Sequence, residues 1–194
     1  MVLSIALLVL AFLMGSFPTG VICARAKGID LRKIGSGNVG ASNVGRALGK
    51  TWGIFVLLID AAKGAIPVVL ARFVDLPPWP LAGVALFAVL GHVFSLFLKF
   101  RGGKGVATAL GASLALAPVP AIAAFGVYVA LYLAFRISSV GSLAGAVSFT
   151  VFLVLFGKPH PAYFVYGALC AIVIVARHRD NLRRLAAGKE LKAP

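Results

Sequence analysis

Lys104 stands in the run Arg101-Gly-Gly-Lys-Gly, just ahead of an apolar segment and with Thr108 one turn on. A point charge next to glycines and the unbonded N–H groups of a helix start makes an anion site. The first polar loop in chain order, "IGSGNVGASN", carries Gly35, Gly37 and Gly40, which allow tight turns whose N–H groups converge on phosphate oxygens. Ser36, Asn38, Ser42 and Asn43 add neutral donors there, and Arg46 adds a planar guanidinium fork suited to phosphate. The loop is not a P-loop, because no Lys-Ser/Thr pair ends it and no βα unit frames it, so nucleotide hydrolysis loses support.

Two further groups are compatible with hydroxyl chemistry. In "RISSVGSLAG", Ser139 and Ser142 are three apart and share one face of a helix, where they can also serve as interhelical glue. In "ARHRDNLRRLAAGKE", His178 and Asn181 are likewise three apart, and the imidazole can orient a hydroxyl or take its proton. Supporting positions lie deeper. His92 falls within an apolar run, where an ionisable group is either functional or paired, and Thr19 lies near the end of the first run, just after Pro18. Asp60 and Lys63 are three apart and of opposite sign in an apolar run, which reads as a buried support, with Asp60 also able to hold a basic residue of the first loop.

The elements that must position these groups are membrane spans. Of 194 residues, 61% are hydrophobic and only 12% charged, a balance that excludes an ordinary soluble domain. Val2 to Ala24 holds no charge and is long enough to cross a ~30 Å hydrocarbon layer; without a basic start or a convincing cleavage site it reads as mature chain, not as a signal. Further apolar runs follow at about 51–71, 79–98, 105–117, 119–135, 138–156 and 161–176. The 105–117 run is short, and Pro118 and Pro120 separate it from the next. Cys23 and Cys170 sit at the ends of apolar runs and read as packing residues.

Charge counts the spans. With seven crossings, the segments 25–50, 99–104, Arg136 and 177–194 share one side and hold 16 of the 19 Lys and Arg residues. The positive-inside rule then predicts an all-α protein of seven transmembrane helices, N-terminus outside and C-terminus cytoplasmic, with every polar motif on the cytoplasmic face. The far loops, around Asp75-Leu-Pro-Pro and Gly157-Lys-Pro-His160, read as plain turns. The chain reads as a single domain over 1–194 with no repeat. A net charge of +14 on such a framework points to anionic lipid and an anionic substrate, not to nucleic acid.

Several chemistries are absent. There is no HExxH motif, no Cys-His ligand spacing, and no aspartate four or five residues after a histidine, and the five carboxylates argue against a protein-held metal. A site of Lys, Arg, Ser and Asn suits phosphorylated substrates and a reaction driven by alignment and charge neutralisation.

The stretches "SFPTG", "GSGNVGASN", "GHVFSLFLKFRGGKGVAT", "SSVGS" and "RHRDNLRRLAAGKE" resemble, in order and spacing, the bacterial acyl-phosphate:glycerol-3-phosphate acyltransferases of the PlsY family. The resemblance spans essentially the whole chain. It implies a seven-helix inner-membrane enzyme with its site at the cytoplasmic face. The enzyme would transfer a fatty acyl group from acyl phosphate to the 1-hydroxyl of glycerol 3-phosphate, giving lysophosphatidate and inorganic phosphate, the first acylation of bacterial phospholipid synthesis. No cofactor, nucleic acid or obligate protein partner is implied; the partners are the two substrates and membrane lipid. Ser95 departs from the family's usual proline, which puts the helix bend there in question, and Ser42 stands where threonine is frequent.

Carried onto this chain, the resemblance makes Ser36, Arg46, Lys104, Ser142, His178 and Asn181 the catalytic residues. Gly35, Gly37, Asn38, Gly40, Asn43, Gly102 and Gly103 would bind phosphate, with Thr19, Asp60, Lys63, His92, Thr108 and Ser139 in support. Transfer would be direct, Lys104 and Arg46 stabilising the leaving phosphate, and either His178 or a substrate phosphate taking the proton. The alternative is a membrane transporter for a phosphorylated small metabolite, which would place polar groups near the midplane and gates on both faces. A lipid-binding scaffold leaves the ordered glycines without a purpose.

Overall fold

The computed structural model describes residues 1–156 and 160–192. Apart from His160, the turn expected at Gly157–His160 lies outside them. Among the described residues the chain forms helices joined by short connections. They are α1 (Val2–Ser16), α2 (Thr19–Arg25), α3 (Ala41–Leu48), α4 (Lys50–Phe73), α5 (Pro78–Val93), α6 (Val106–Leu116), α7 (Pro118–Phe135), α8 (Ser138–Leu155), α9 (Pro161–Arg177) and α10 (Arg179–Ala186).

Proline and glycine set the boundaries. Pro18 splits the first apolar run, read from the sequence as one element, into α1 and α2, because its ring cannot donate to the ladder. Pro78, Pro118 and Pro161 start α5, α7 and α9, in the first helical turn, where a missing N–H costs nothing. Gly49, at φ +94°, joins α3 to α4, and Arg136 takes a left-handed conformation between α7 and α8. After α5 a single 3₁₀ turn, Leu96–Leu98, leads to the Gly102-Gly103 segment.

Five of the elements are long and apolar enough to cross a membrane, with α1 and α2 counted as one, and six if α9 and α10 are taken together across their 59° bend. The α6 helix, with 11 residues, spans only ~16 Å. The fold is therefore all-α and polytopic, with five to six candidate crossings. α1 packs along α5, α4 along α6 and α7 along α8, while α9 closes against α5 and α8. One core of small apolar residues, such as Ala85, Ala88 and Val89, joins these pairs, and a lesser cluster of Cys23, Leu31, Val44 and Val56 seats the first polar loop.

Two glycines set the α4/α6 separation. A Cβ on Gly111 would lie 1.8 Å from the Ala61 carbonyl oxygen, and one on Gly64 would lie 2.1 Å from that of Thr108. Without a hydrophobic driving force inside lipid, such backbone contact is what holds helices together. Gly111→Ala is expected to cost about 1–3 kcal/mol, the range for overpacking, and to lower the unfolding temperature in detergent. Gly126→Ala, with nothing within 4 Å of the added methyl, is expected to leave it unchanged or raise it. Equal melting of the two variants would show that the α4/α6 contact carries no weight.

Candidate active site

The first polar loop folds on its own side chain. Asn43, buried at the start of α3, accepts from the Ser36 N–H at 2.9 Å and donates to the carbonyls of Leu31 (3.1 Å) and Ile34 (3.0 Å). The Gly37 N–H bonds the Ile34 carbonyl at 3.0 Å, and the Asn38 N–H reaches Ser36 Oγ at 3.4 Å. This corrects the expected phosphate cradle: the amides of residues 36 to 38 are already bonded within the loop, so Gly35 and Gly37 shape it through positive φ and do not line the cavity. Asn43 has spent its amide on the loop. Ser36, Asn38, Gly40 and Arg46 do face the cavity.

The glycine turn before α6 follows the same logic. The Gly102 and Gly103 N–H groups bond the carbonyls of Val93 and His92, both at 3.1 Å, and their own carbonyls accept from Arg177 at 3.2 and 3.3 Å. Gly102 and Gly103 are therefore spacers that bring α6 close to α5, not free phosphate donors as expected. A Cβ on Gly103 would meet His92 Nε2 at 2.2 Å, so the imidazole lies directly beneath the turn. Lys104, which follows, reaches the cavity and donates to the Asn181 amide oxygen.

A cavity of about 220 Å³ collects the remaining polar groups. Ser36, Asn38, Arg46, Lys104, Ser139, Ser142, His178 and Asn181, from four separate chain segments, all line it. Ser142 Oγ donates back to the Ser138 carbonyl at 2.8 Å. His178, buried where α9 bends into α10, has Nδ1 2.8 Å from the Ile174 carbonyl. A carbonyl only accepts, so Nδ1 carries a proton, and in the neutral imidazole Nε2 then keeps its lone pair.

Glu190 lines the cavity too, and reading the residues had not singled it out. Its carboxylate accepts from Ser139 Oγ at 3.1 Å, from the Asn181 side-chain amide and from Arg184 Nε at 2.8 Å. The signal available was rarity, one of two acids in a basic tail of a chain with five. Ser138 also lines the cavity; its Oγ meets Ser42 Oγ at 3.0 Å and the Tyr128 hydroxyl at 3.3 Å, tying the first loop to α8.

Charges in the turn and tail respond to this company. Burial lowers Lys104 from its usual value to about 8; Glu190 opposes the shift, while Arg184 and Arg46 add to it. Burial also lowers Arg46. For Glu190, burial pushes upward, but hydrogen bonds from Arg184, Asn181 and Ser139 outweigh it and hold the carboxyl below its ordinary range.

The supporting residues divide. Asp60 Oδ1 is 2.8 Å from Lys63 Nζ and accepts from Thr19 Oγ1 at 3.1 Å, as the pairing argument expected. No basic residue of the first loop is among its hydrogen-bond or ion-pair partners in the described residues, because Lys63, Thr19 and, at 3.9 Å, His92 surround it. Thr108 is buried, its backbone packed against Gly64 of α4, and does not line the cavity. Ser95, in place of proline, donates to the Ser16 carbonyl, and α5 ends at Val93 all the same.

With this geometry in hand, comparison with known proteins is specific. The family model described as glycerol-3-phosphate acyltransferase matches residues 5–188. A glycerol-3-phosphate acyltransferase of Rubrobacter xylanophilus is 44% identical over 190 residues, covering 98% of this chain and 95% of its own. One from a strain of Thermus thermophilus is 49% identical over 186 residues, covering 94% and 92%. A crystal structure of PlsY, an integral membrane glycerol 3-phosphate acyltransferase, in its glycerol 3-phosphate form superposes with a TM-score of 0.94 at 40% identity, over 98% of this chain and 96% of that one. Its lysophosphatidic acid form gives 0.91 at 39%, over 97% and 94%. The chain belongs to the PlsY family of bacterial glycerol-3-phosphate acyltransferases.

Proposed function

We propose that this protein transfers an acyl group from an acyl phosphate to the 1-hydroxyl of glycerol 3-phosphate, giving lysophosphatidate and inorganic phosphate in the bacterial inner membrane. The observation that carries the reading is one cavity with a cationic mouth and an apolar stem, in a chain that superposes on an enzyme known in both glycerol 3-phosphate and lysophosphatidic acid forms. Charge distribution supports seven crossings with α6 as a short one, the N-terminus outside, and the site on the cytoplasmic face.

An acyl phosphate is an activated mixed anhydride, so the protein's task is alignment and charge neutralisation. Arg46 and Lys104 meet the departing phosphate, and Ser36 and Asn38 supply neutral donors beside them. Ser142, His178 and Asn181, the last bonded to Lys104, position glycerol 3-phosphate next to it. The hydroxyl adds to the carbonyl carbon, the C–O bond to phosphate breaks, and the hydroxyl proton passes to a substrate phosphate oxygen, with His178 orienting the attack through Nε2. A transport path is disfavoured because the deep pair Asp60–Lys63 is occupied with structure: Lys63 Nζ also donates to the Phe17 carbonyl at 2.7 Å.

Purified protein with glycerol 3-phosphate and palmitoyl phosphate is expected to release inorganic phosphate only when both are present, and to form no lysophosphatidate from palmitoyl-CoA. Lys104→Ala should lower kcat by about 10²–10³, the range for losing one charge-stabilising donor. No release from folded protein would overturn the assignment. His178→Gln is expected to retain more turnover than Lys104→Ala, and a rate below that of Lys104→Ala would make His178 the base.

A pH profile tests Lys104 separately. Its proton leaves near pH 8 instead of above 10, so kcat/KM for the acyl phosphate is expected to fall as pH rises through about 8. Lys104→Arg, charged throughout, should show no such fall. Matching profiles would mean that this charge does not bind substrate.

A further inference from the structure

The buried Gly102-Gly103 pair that delivers Lys104 to the cavity is held on two sides. From α5, the Val93 and His92 carbonyls take its N–H groups. From α9, the final residue, Arg177, donates Nη2 to the Gly102 carbonyl at 3.2 Å and Nε to the Gly103 carbonyl at 3.3 Å. Buried carbonyls need a donor, and one guanidinium supplies both. Because the fork is planar and each peptide is planar, bonding two successive carbonyls fixes two adjoining peptide planes, the second of which leads into Lys104.

The same stretch of chain takes the other end of Lys104. Asn181, four residues after Arg177, accepts from the Lys104 ammonium. Across the 59° bend between α9 and α10, the segment 177–181 thus holds Lys104 by its backbone and by its side chain, with His178 between the two grips. Arg177 differs in this from the arginines that follow it. Arg179 and Arg183 have side chains 76% and 80% exposed and lie 3.9 and 3.7 Å from Asp180, whereas Arg177 is half-buried and spends its donors on backbone.

We propose that Arg177 is a positioning residue of the transfer reaction: its clamp on the Gly102 and Gly103 carbonyls sets the distance of Lys104 from His178 and Asn181, and so aligns the leaving phosphate with the attacking hydroxyl. The inference rests on the acyltransfer reading, in which Lys104 meets the phosphate while His178 and Asn181 hold glycerol 3-phosphate. A misplacement of about 1 Å between reacting groups costs roughly 10²-fold in rate. Lysine at position 177 would keep the charge and lose the fork, and a point charge on a flexible stem leaves the two peptide planes free to turn.

The test compares kcat and KM for both substrates, and the unfolding temperature, in the full-length wild type, Arg177→Lys, Arg177→Ala, Lys104→Ala and the double variant of Arg177→Lys with Lys104→Ala. Arg183→Ala controls for loss of a positive charge and is expected to match wild type. Arg177→Lys should lower kcat about 10- to 100-fold and Arg177→Ala at least as much, with KM for glycerol 3-phosphate moving less than about threefold. Added to Lys104→Ala, Arg177→Lys should cost less than about threefold more, because the alignment it protects is already lost. Wild-type kcat in Arg177→Lys would overturn the clamp, whatever the melting temperature, and so would losses that multiply in the double variant. If Arg177→Ala does not fold, the lysine variants still decide; an Arg177→Lys that does not fold would make the residue structural and overturn the proposal. A wild type that releases no phosphate from the two substrates would overturn the acyltransfer reading and the clamp with it.

Discussion

A membrane helix that breaks inside the bundle must have its freed backbone groups satisfied by the protein itself, since no water is available to do so. This chain breaks its helices twice at one level, at Phe17-Pro18 and after Val93, and buried polar side chains answer both breaks. Ser16 Oγ bonds the Gly91 carbonyl at 3.2 Å, Ser95 Oγ bonds the Ser16 carbonyl, and Lys63 fills the Phe17 carbonyl while paired to Asp60. Asp60 also holds Thr19, the first residue after the break. The glycine turn carrying Lys104 is bonded to the end of α5, so the position of the candidate phosphate site depends on these interior bonds.

The same interior explains why the loop amides themselves are not free donors. Residues 36 to 38 and Gly102–Gly103 use their amides to hold the shape of their loops, through Asn43 in the first loop and through Val93 and His92 in the glycine turn. Side chains, and the amides at the starts of α3 and α6, are left to meet the ligand. Fixed loops presenting charged and polar side chains need little rearrangement when substrate arrives, which suits a reaction that relies on preorganisation.

Much of this was legible in the sequence, and the limits have physical causes. Hydropathy located the apolar helices, because each span must be apolar throughout, but it ran past the end of α5 at Val93 and gave no sign of α3. Spacing put Ser139 with Ser142 and His178 with Asn181 on shared walls, and opposite signs three apart identified Asp60 with Lys63. The direction of Thr108 was not readable, since α6 is apolar all round and offers no polar stripe to mark the cavity side. Glycine-rich loops suggested open amides, but whether an amide is open depends on Asn43 or on α5, which no local pattern records. Glu190 is joined to Ser139 across 51 positions, a contact that only the folded bundle creates.

The carboxylate of Glu190 has a consequence for the end of a catalytic cycle. Arg46 and Lys104, with Arg184 behind them, form a mouth that would grip a divalent phosphate product strongly if every charge there were positive. A single fixed negative charge in the same wall, held ionised by Arg184, Asn181 and Ser139, offsets part of that attraction at all times. Affinity for the incoming phosphate ester is lowered a little, and the barrier to expelling spent phosphate is lowered with it. The tail thereby supplies a built-in counterion to the cationic mouth.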